Sequence, residues 1–271
     1  MPPLSFRSIW ISDVHLGTRH LRADSLLHFL RSTESEYLYL VGDIFDIWQL
    51  KNRWYWSAVH DQIVSTVLDK AAQGTNVYYL PGNHDESLRR FEGTSFSGVT
   101  ISSKLVHETA GGSSYLVMHG DSFDCVVQNN KWLADIGSSL YGMILNVNHW
   151  YNLLRLKFGK EYWSLSAFLK HKVKDAVNYI GRYEDVLVSE IRANKVDGLI
   201  CGHIHHASIK MMDGFLYSNA GDWVESCTAL AENQDGTLGL IEWSGSDPVT
   251  ELVNSGYEKN TCRDRCLAPT N

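Results

Sequence analysis

Phe6-Arg7-Ser8-Ile9-Trp10-Ile11-Ser12-Asp13-Val14-His15 is the stretch that decides the fold. Phe6 to Ser12 has the length and apolar content of a buried strand. It runs directly into two metal-competent side chains, Asp13 and His15. The arrangement recurs twice. Glu36–Val41 reads as a strand entering Gly42-Asp43, and Asn76–Leu80 as a strand broken by Pro81-Gly82 ahead of Asn83-His84-Asp85. Helical spacing fills the gaps: Leu26, Leu27 and Leu30 within Asp24–Ser32, and Ile63, Val64, Val67 and Leu68 within Trp54–Ala72. This β-α-β-α-β order predicts a parallel sheet with right-handed crossovers. Open sheets of that kind assemble their sites at the C-terminal ends of the strands.

From Val99 onward the strands come closer together. Val99–Ile101, Lys104–His107, Tyr115–Met118, Gly198–Cys201, Ala207–Met211, Gly214–Ser218, Glu225–Ala231 and Thr237–Trp243 fit short strands, with hairpins at Asp213-Gly214 and Asp235-Gly236. Two of them again end on metal-competent residues, in His119-Gly120-Asp121 and Gly202-His203-Ile204-His205. The expected fold is α/β, two packed mixed sheets with helices outside. Residues 128–180 interrupt the strand rhythm with helical period (Trp132, Ile136, Leu140; Leu165, Leu169, Val173) and read as an insertion. One domain over 1–247 carries this insertion, and the polar tail 248–271 is expected to fray.

The 271 residues are 44% hydrophobic and 20% charged, which excludes a disordered, collagenous or multi-span membrane chain. The net charge of −7 disfavours a generic nucleic-acid binder. No apolar run is long enough to span a membrane, and the N-terminus lacks a basic-then-apolar leader, so a cytoplasmic protein is expected. The five cysteines fit free thiols rather than a disulfide framework: Cys125, Cys201 and Cys227 sit in apolar contexts, and Cys262 and Cys266 in the tail.

The five strand-end segments together supply two Asp, one Asn and four His. A mixed oxygen and nitrogen set without thiolate suits Mn, Fe or Zn better than Ca or Mg. Each segment alone is weak, because a lone His is more often a structural residue than a ligand. Chance does not account for all five in order, each after a strand.

The pattern D-x-H, G-D-x-x-D, G-N-H-D, a His before Gly, and G-H-x-H resembles the calcineurin-like metallophosphoesterase superfamily from Asp13 to about Asp222. The resemblance implies a four-layer αββα sandwich and two divalent cations, Mn²⁺ first with Fe or Zn open. One cation would take Asp13, His15, Asp43 and His205, the other Asp43, Asn83, His119 and His203. Family members attack phosphorus with a hydroxide bridging the pair. His84 would reach the substrate as a catalytic group and Asp85 would orient it. Asp46 and Asp121 read as supporting carboxylates or caps, and His206 as a neighbour of the ligands.

Gly42-Asp43-Ile44-Phe45-Asp46-Ile47-Trp48, the insertion after His119-Gly120-Asp121, and Asn219-Ala220-Gly221-Asp222-Trp223-Val224-Glu225 resemble the bacterial UDP-2,3-diacylglucosamine hydrolase group of lipid A synthesis. That group splits a pyrophosphate and closes a helical lid over acyl chains. The resemblance implies a lipid-linked nucleotide sugar as partner and peripheral contact with the cytoplasmic face of the inner membrane. Residues 128–180 carry seven Lys or Arg against three acids, a net of +4 beside −11 for the remainder, which suits an anionic lipid surface. Arg19, Trp48, Asp124, Lys157, Lys160 and Trp163 are the expected substrate contacts. Two positions depart from the group: His84 stands where it has Arg, and Ser122-Phe123-Asp124-Cys125 replaces a Thr-Asp-Asp-type segment. A paralogous branch is therefore expected. A broad phosphomonoesterase or phosphodiesterase, and a non-catalytic scaffold, stay open.

Overall fold

The structure, a computed structural model, describes residues 3–123, 183–243 and 248–249. β1 (Leu4–Ile11), β2 (Thr33–Val41) and β3 (Asn76–Leu80) run parallel, with Ile11 opposite Leu40 and Val41 opposite Leu80. α1 (Ala23–Ser32) connects the first pair; α2 (Ile47–Asn52) and α3 (Ala58–Ala72) lie between the second. The alternation of side chains along a strand sends successive residues to opposite faces. Ile9, Ile11, Leu38 and Leu40 pack with Leu26 and Leu30 of α1 and Ile63 and Val67 of α3. Trp10, Tyr39, Val41 and Leu80 point the other way. Both faces are covered, which is why these strands read as nearly continuous apolar runs.

β4 (Ser95–Phe96) and β5 (Val99–Ile101) complete one edge of this sheet. β11 (Thr228–Glu232), β12 (Leu238–Trp243) and β13 (Pro248–Val249) complete the other. The second sheet holds β6 (Lys104–Glu108), β7 (Ser114–Met118), β8 (Gly198–Cys201), β10 (Phe215–Asn219) and β9 (Ser208–Met212), in that order. Its Tyr115, Val117, Ile200 and Leu216 meet Trp10, Tyr39 and Val41 to form a core between the sheets. β7, β8 and β10 are parallel, so His119 and His203 leave one end of this sheet together. Two mixed sheets with flanking helices, as expected, make this an α/β protein.

The chain divides into two compact units. The first, Met1–His119 with Val196–Met211 and Leu216–Asn271, holds α1 to α3 and nearly all of both sheets. The second is Gly120–Lys195 with Met212–Phe215. It contains a 3-10 turn at Asp121–Phe123, which Asp121 begins, and a helix over 183–194 that the periodicity did not flag. Within it Arg192 pairs with Asp213, and the Phe123 ring meets Tyr183 edge-on at 6.3 Å. The expected lid over 128–180 lies outside the described residues, as do Cys125, Cys262 and Cys266. Cys201 and Cys227 are buried free thiols. Among the described residues no helix is long and apolar enough to cross a membrane.

Most strand ends shift by one to three residues from the sequence reading, β13 falls where the polar tail was expected to begin, and three differences have a visible cause. The helix expected over Trp54–Ala72 starts at Ala58, because Ser57 is extended and Trp56 turns away. The Trp56 indole donates to Asp61 at 2.7 Å and stacks on Phe45. α2 is an unexpected short helix, capped by Asp46, whose carboxylate accepts the Gln49 N–H at 2.9 Å. The strand expected from Glu225 begins at Thr228. Asp222 gathers the N–H groups of Val224, Glu225 and Ser226 into a turn first. The Asp213-Gly214 hairpin is as expected, with both residues at positive φ, the backbone of a type I′ turn.

Candidate metal centre

Asp13, Asp43 and Asn83 follow β1, β2 and β3, and His119 and His203 follow β7 and β8. The loops are stitched together by backbone bonds. Asp13 N–H donates to Gly42 carbonyl at 3.1 Å, His15 N–H to Asp43 carbonyl at 2.8 Å, and Gly202 N–H to His119 carbonyl at 3.0 Å. Asp13, His15, Asp43, His203 and His205 all sit at φ between 52° and 70°. For residues with a Cβ that region is sparsely populated, at a cost on the order of 1 kcal/mol each. Five of the seven expected ligands thus hold a conformation that only surrounding structure sustains.

Glycine is required here for close approach. A Cβ on Gly42, itself at φ +75°, would lie 2.2 Å from His119 Nδ1. A Cβ on Gly202 would lie 2.5 Å from Asp13 Oδ2.

Among the described residues three groups of possible ligands form: one joins His15 to Asp46 and His84, and the other two consist of expected ligands. Asp13, His15 and His205 bring donor atoms within 4.8 Å of one another, and so do Asp43, His119 and His203. The groups adjoin, because His203 N–H donates to Asp13 Oδ2 at 2.8 Å. In the first, the His15 and His205 rings stack at 5.5 Å and His205 Nε2 stands 3.2 Å from Asp13 Oδ1. In the second, His119 Nε2 stands 3.4 Å from Asp43 Oδ2. Tautomers follow from the outer partners: His119 Nδ1 donates to the Val41 carbonyl at 2.9 Å, leaving Nε2 with a lone pair that a cation could take. His15 Nδ1 faces Asp46 Oδ2 at 3.3 Å, which frees its Nε2 in the same way.

Asp13 Oδ1, Asn83 Oδ1 and His119 Nε2 are buried and make no hydrogen bond. A buried polar atom without a partner is costly. Here the three come from three expected ligands and are the atoms a cation would take. The residues present therefore fit divalent metals. The field agrees. Burial pushes the Asp43 carboxyl up, yet the His119 contact, the His84 N–H and the His84 charge hold it at about 2. Burial opposes charge on His119, but Asp43 and Asp13 lift it to about 9. Asp13 likewise raises His205. The negative potential that draws a proton to these nitrogens draws a cation to the same point, and a bound cation displaces the proton.

His84 is half-buried beside the two groups. Its ring meets His15 edge-on at 4.6 Å, and Trp48, 45% exposed, lies 4.3 Å from it on the outer side. Its backbone N–H donates to Asp43 Oδ1 at 2.8 Å. Burial lowers its affinity for a proton, while Asp46, Asp43 and Asp85 more than offset that and raise it.

Asp85 does not orient His84. Its Oδ2 accepts from Ile44 N–H at 2.8 Å, from Phe45 N–H at 3.2 Å and from the Tyr79 hydroxyl, and its Oδ1 from Gly82 N–H at 2.6 Å. The side chain is spent inside the protein, tying the Asp43 loop to the Asn83 loop. The carboxylate beside His84 is Asp46, whose Oδ1 lies 3.1 Å from Nδ1.

Of the expected substrate contacts, Trp48 lies at the site. Arg19 is exposed and covers the Tyr55 ring at 4.7 Å. Asp124, Lys157, Lys160 and Trp163 lie outside the described residues. His206 is exposed beside the ligands. The sequence reading gave no role to Asn219 and Gly221. Asn219 donates to the Gly202 carbonyl at 2.6 Å and accepts the Gly221 N–H, while Ser12 Oγ donates to the Gly221 carbonyl at 2.7 Å. Trp223 N–H donates to the Asp13 carbonyl. This segment braces two ligand loops from behind. An Asn-x-Gly-Asp run directly after a strand is the signal that points to such a turn.

A metal-dependent hydrolase is the class that this fold and donor set define. Residues 6–207 match the family model for Calcineurin-like phosphoesterase, and the chain belongs to that family. It is 25% identical over 206 residues to the UDP-2,3-diacylglucosamine hydrolase of Blochmanniella pennsylvanica, covering 74% of this chain and 80% of the relative. It is 25% identical over 250 residues to the protein of that name from Shewanella piezotolerans, covering 87% and 98%. Among solved structures, Vacuolar Protein Sorting 29 from Cryptosporidium parvum overlaps 89% of this chain and 93% of its own, with a TM-score of 0.44 and 13% identity.

Proposed function

We propose that the protein hydrolyses a phosphoanhydride or phosphoester with a pair of divalent cations, and that its substrate is a lipid-linked nucleotide sugar of the UDP-2,3-diacylglucosamine kind. The observation that carries the metal reading is that Asp13 Oδ1, Asn83 Oδ1 and His119 Nε2, from three of the expected ligands, are each buried and make no hydrogen bond. Asp13, His15, Asp43 and His205 would hold one cation, and Asp43, Asn83, His119 and His203 the other, with Mn²⁺ first among Mn, Fe and Zn for this donor set. When bound, such a pair lowers the pKa of water and offsets charge growing on the phosphoryl group. Asp43 would serve both cations; one of its oxygens accepts the His84 N–H and the other stands 3.4 Å from His119 Nε2.

His84 is the group that touches the substrate. Asp46 Oδ1 stands 3.1 Å from its Nδ1, so Nε2 is the nitrogen that would hold a proton for the leaving oxygen. Trp48 bounds the site on the solvent side and excludes water from one face of His84. The substrate reading rests on the relatives, whose printed names agree over most of their length. Contact of the basic 128–180 segment with an anionic membrane face belongs to the same reading.

Mn²⁺-loaded protein should be offered UDP-2,3-diacylglucosamine, UDP-glucose, p-nitrophenyl phosphate and bis-p-nitrophenyl phosphate. Release of UMP from the diacylated sugar, at a kcat/KM well above the others, is the expected result. Preference for an aryl ester would remove the substrate assignment and leave a general phosphoesterase.

A further inference from the structure

Behind the metal loops, on the helix side of the first sheet, lies a cavity of about 250 Å³. Its walls come from β1, β2, β3, α1, α3 and the β4–β5 hairpin. The side chains are aliphatic or aromatic throughout, and the Tyr79 hydroxyl is taken by Asp85. Val14 and Leu16, each 1% exposed, flank ligand His15 at the inner end. Phe96, 73% exposed, and the partly buried Val99 and Val64 also line the cavity.

Protein interiors pack like organic crystals and leave few voids larger than a water molecule. An engineered cavity of about 150 Å³ lined by Leu, Ile and Phe stays dry and takes up benzene or xenon. The present cavity is larger, and its walls offer water no partner. It falls just under the roughly 300 Å³ where pockets for drug-sized ligands begin, and so suits one slender molecule.

We infer that this cavity is a binding site for a single saturated hydrocarbon chain, separate from the metal centre and independent of the reaction proposed above. Aliphatic walls without a hydrogen-bond donor select methylene groups. The walls draw on three strands, two helices and a hairpin, and a flexible chain conforms to so many elements more readily than a rigid ring. A free fatty acid and an acylated phosphate offer the same tail.

Titration calorimetry of the full chain with hexanoate, octanoate and decanoate is one arm, and octyl and decyl phosphate the other. One site per chain is expected, about fourfold tighter for each added methylene until the cavity is filled, with a negative heat-capacity change. Binding of the free acids marks an independent lipid. Binding of the alkyl phosphates alone supports the site when Val67→Phe and Leu68→Phe weaken it, and marks a tail carried by a phosphate ligand; alkyl-phosphate binding unchanged in both variants belongs to the metal centre and overturns the inference, as does no saturable binding in either arm. Val67→Phe and Leu68→Phe should weaken binding at least tenfold while holding or raising Tm, since they fill empty space. A fall in Tm for both variants would show that the space is already packed and would overturn the inference. None of these readouts depends on turnover, so failure here leaves the phosphoesterase reading standing.

Discussion

His84 Nδ1 stands 3.1 Å from Asp46 Oδ1. The second oxygen of the same carboxylate is 3.3 Å from Nδ1 of His15, so one side chain stands beside both the group proposed to face substrate and a proposed metal ligand. Asp46 is held in turn as the cap of α2, and these contacts keep its carboxyl far below the usual range although burial pushes the other way. Asp46→Asn keeps the shape and removes the charge. Loss of such an outer partner costs about 10–100-fold in metal affinity or activity. A drop of that size in kcat at saturating Mn²⁺, with Tm little changed, is expected. Wild-type kcat would show that Asp46 serves only the helix.

Asp85 and His84 are neighbours in sequence with separate tasks. Asp85→Asn places an amide against the cluster of donors that the carboxylate now accepts, and each donor left unpaired costs about 1–3 kcal/mol. Thermal melting should show a clear loss of stability in Asp85→Asn and little in His84→Ala. His84→Ala should keep its metal and lose kcat. The reverse pattern of melting temperatures would contradict the division.

Gly42→Ala and Gly202→Ala test close approach at the ligands. The new methyl would meet His119 Nδ1 in one and Asp13 Oδ2 in the other, at distances real Cβ atoms do not occupy. Both proteins should fold, as judged by far-UV circular dichroism, and bind Mn²⁺ far more weakly than wild type. Unchanged affinity would mean that the loops have slack.

A pH signature comes from the opposite end of the strands. Glu232 is fully buried and takes donors from Arg7, Ser8, Ala110 and His107. Burial raises its carboxyl, but those bonds and the His107 charge outweigh it and hold the group below its ordinary 4.5. A depressed folded value stabilises the protein above the unfolded value and loses that stabilisation as pH falls through the folded one. Glu232→Gln should therefore cost about 3 kcal/mol at neutral pH. In urea melts the gap to wild type should narrow steadily below about pH 4. A gap that stays constant with pH would assign the loss to packing instead.

Much of the fold was legible because β1 to β3 are buried on both faces and each ends on a metal-competent residue. β3, β5 and β8 begin and end where expected, since Pro81-Gly82 and short Gly or Ser turns mark them. Trp54–Ser57 misled because aromatic residues satisfy a helical pattern while Trp56 in fact docks on Phe45. α2 is too short for its period to show. Adjacency misled at Asp85: the turn after Asn83 sends its side chain inward, and the contact to His84 comes from Asp46, 38 positions earlier. Hydrogen bonds across that distance leave no local mark. Nor does the cavity behind the ligands, whose lining reads as ordinary core.

The count of Mn²⁺ ions bound per chain, by equilibrium dialysis with elemental analysis, bears most directly on the central claim. Wild type should hold two, and Asp43→Ala, which lacks the carboxylate proposed to serve both cations, should hold neither tightly. One ion or none in wild type, or two in Asp43→Ala, would contradict the account.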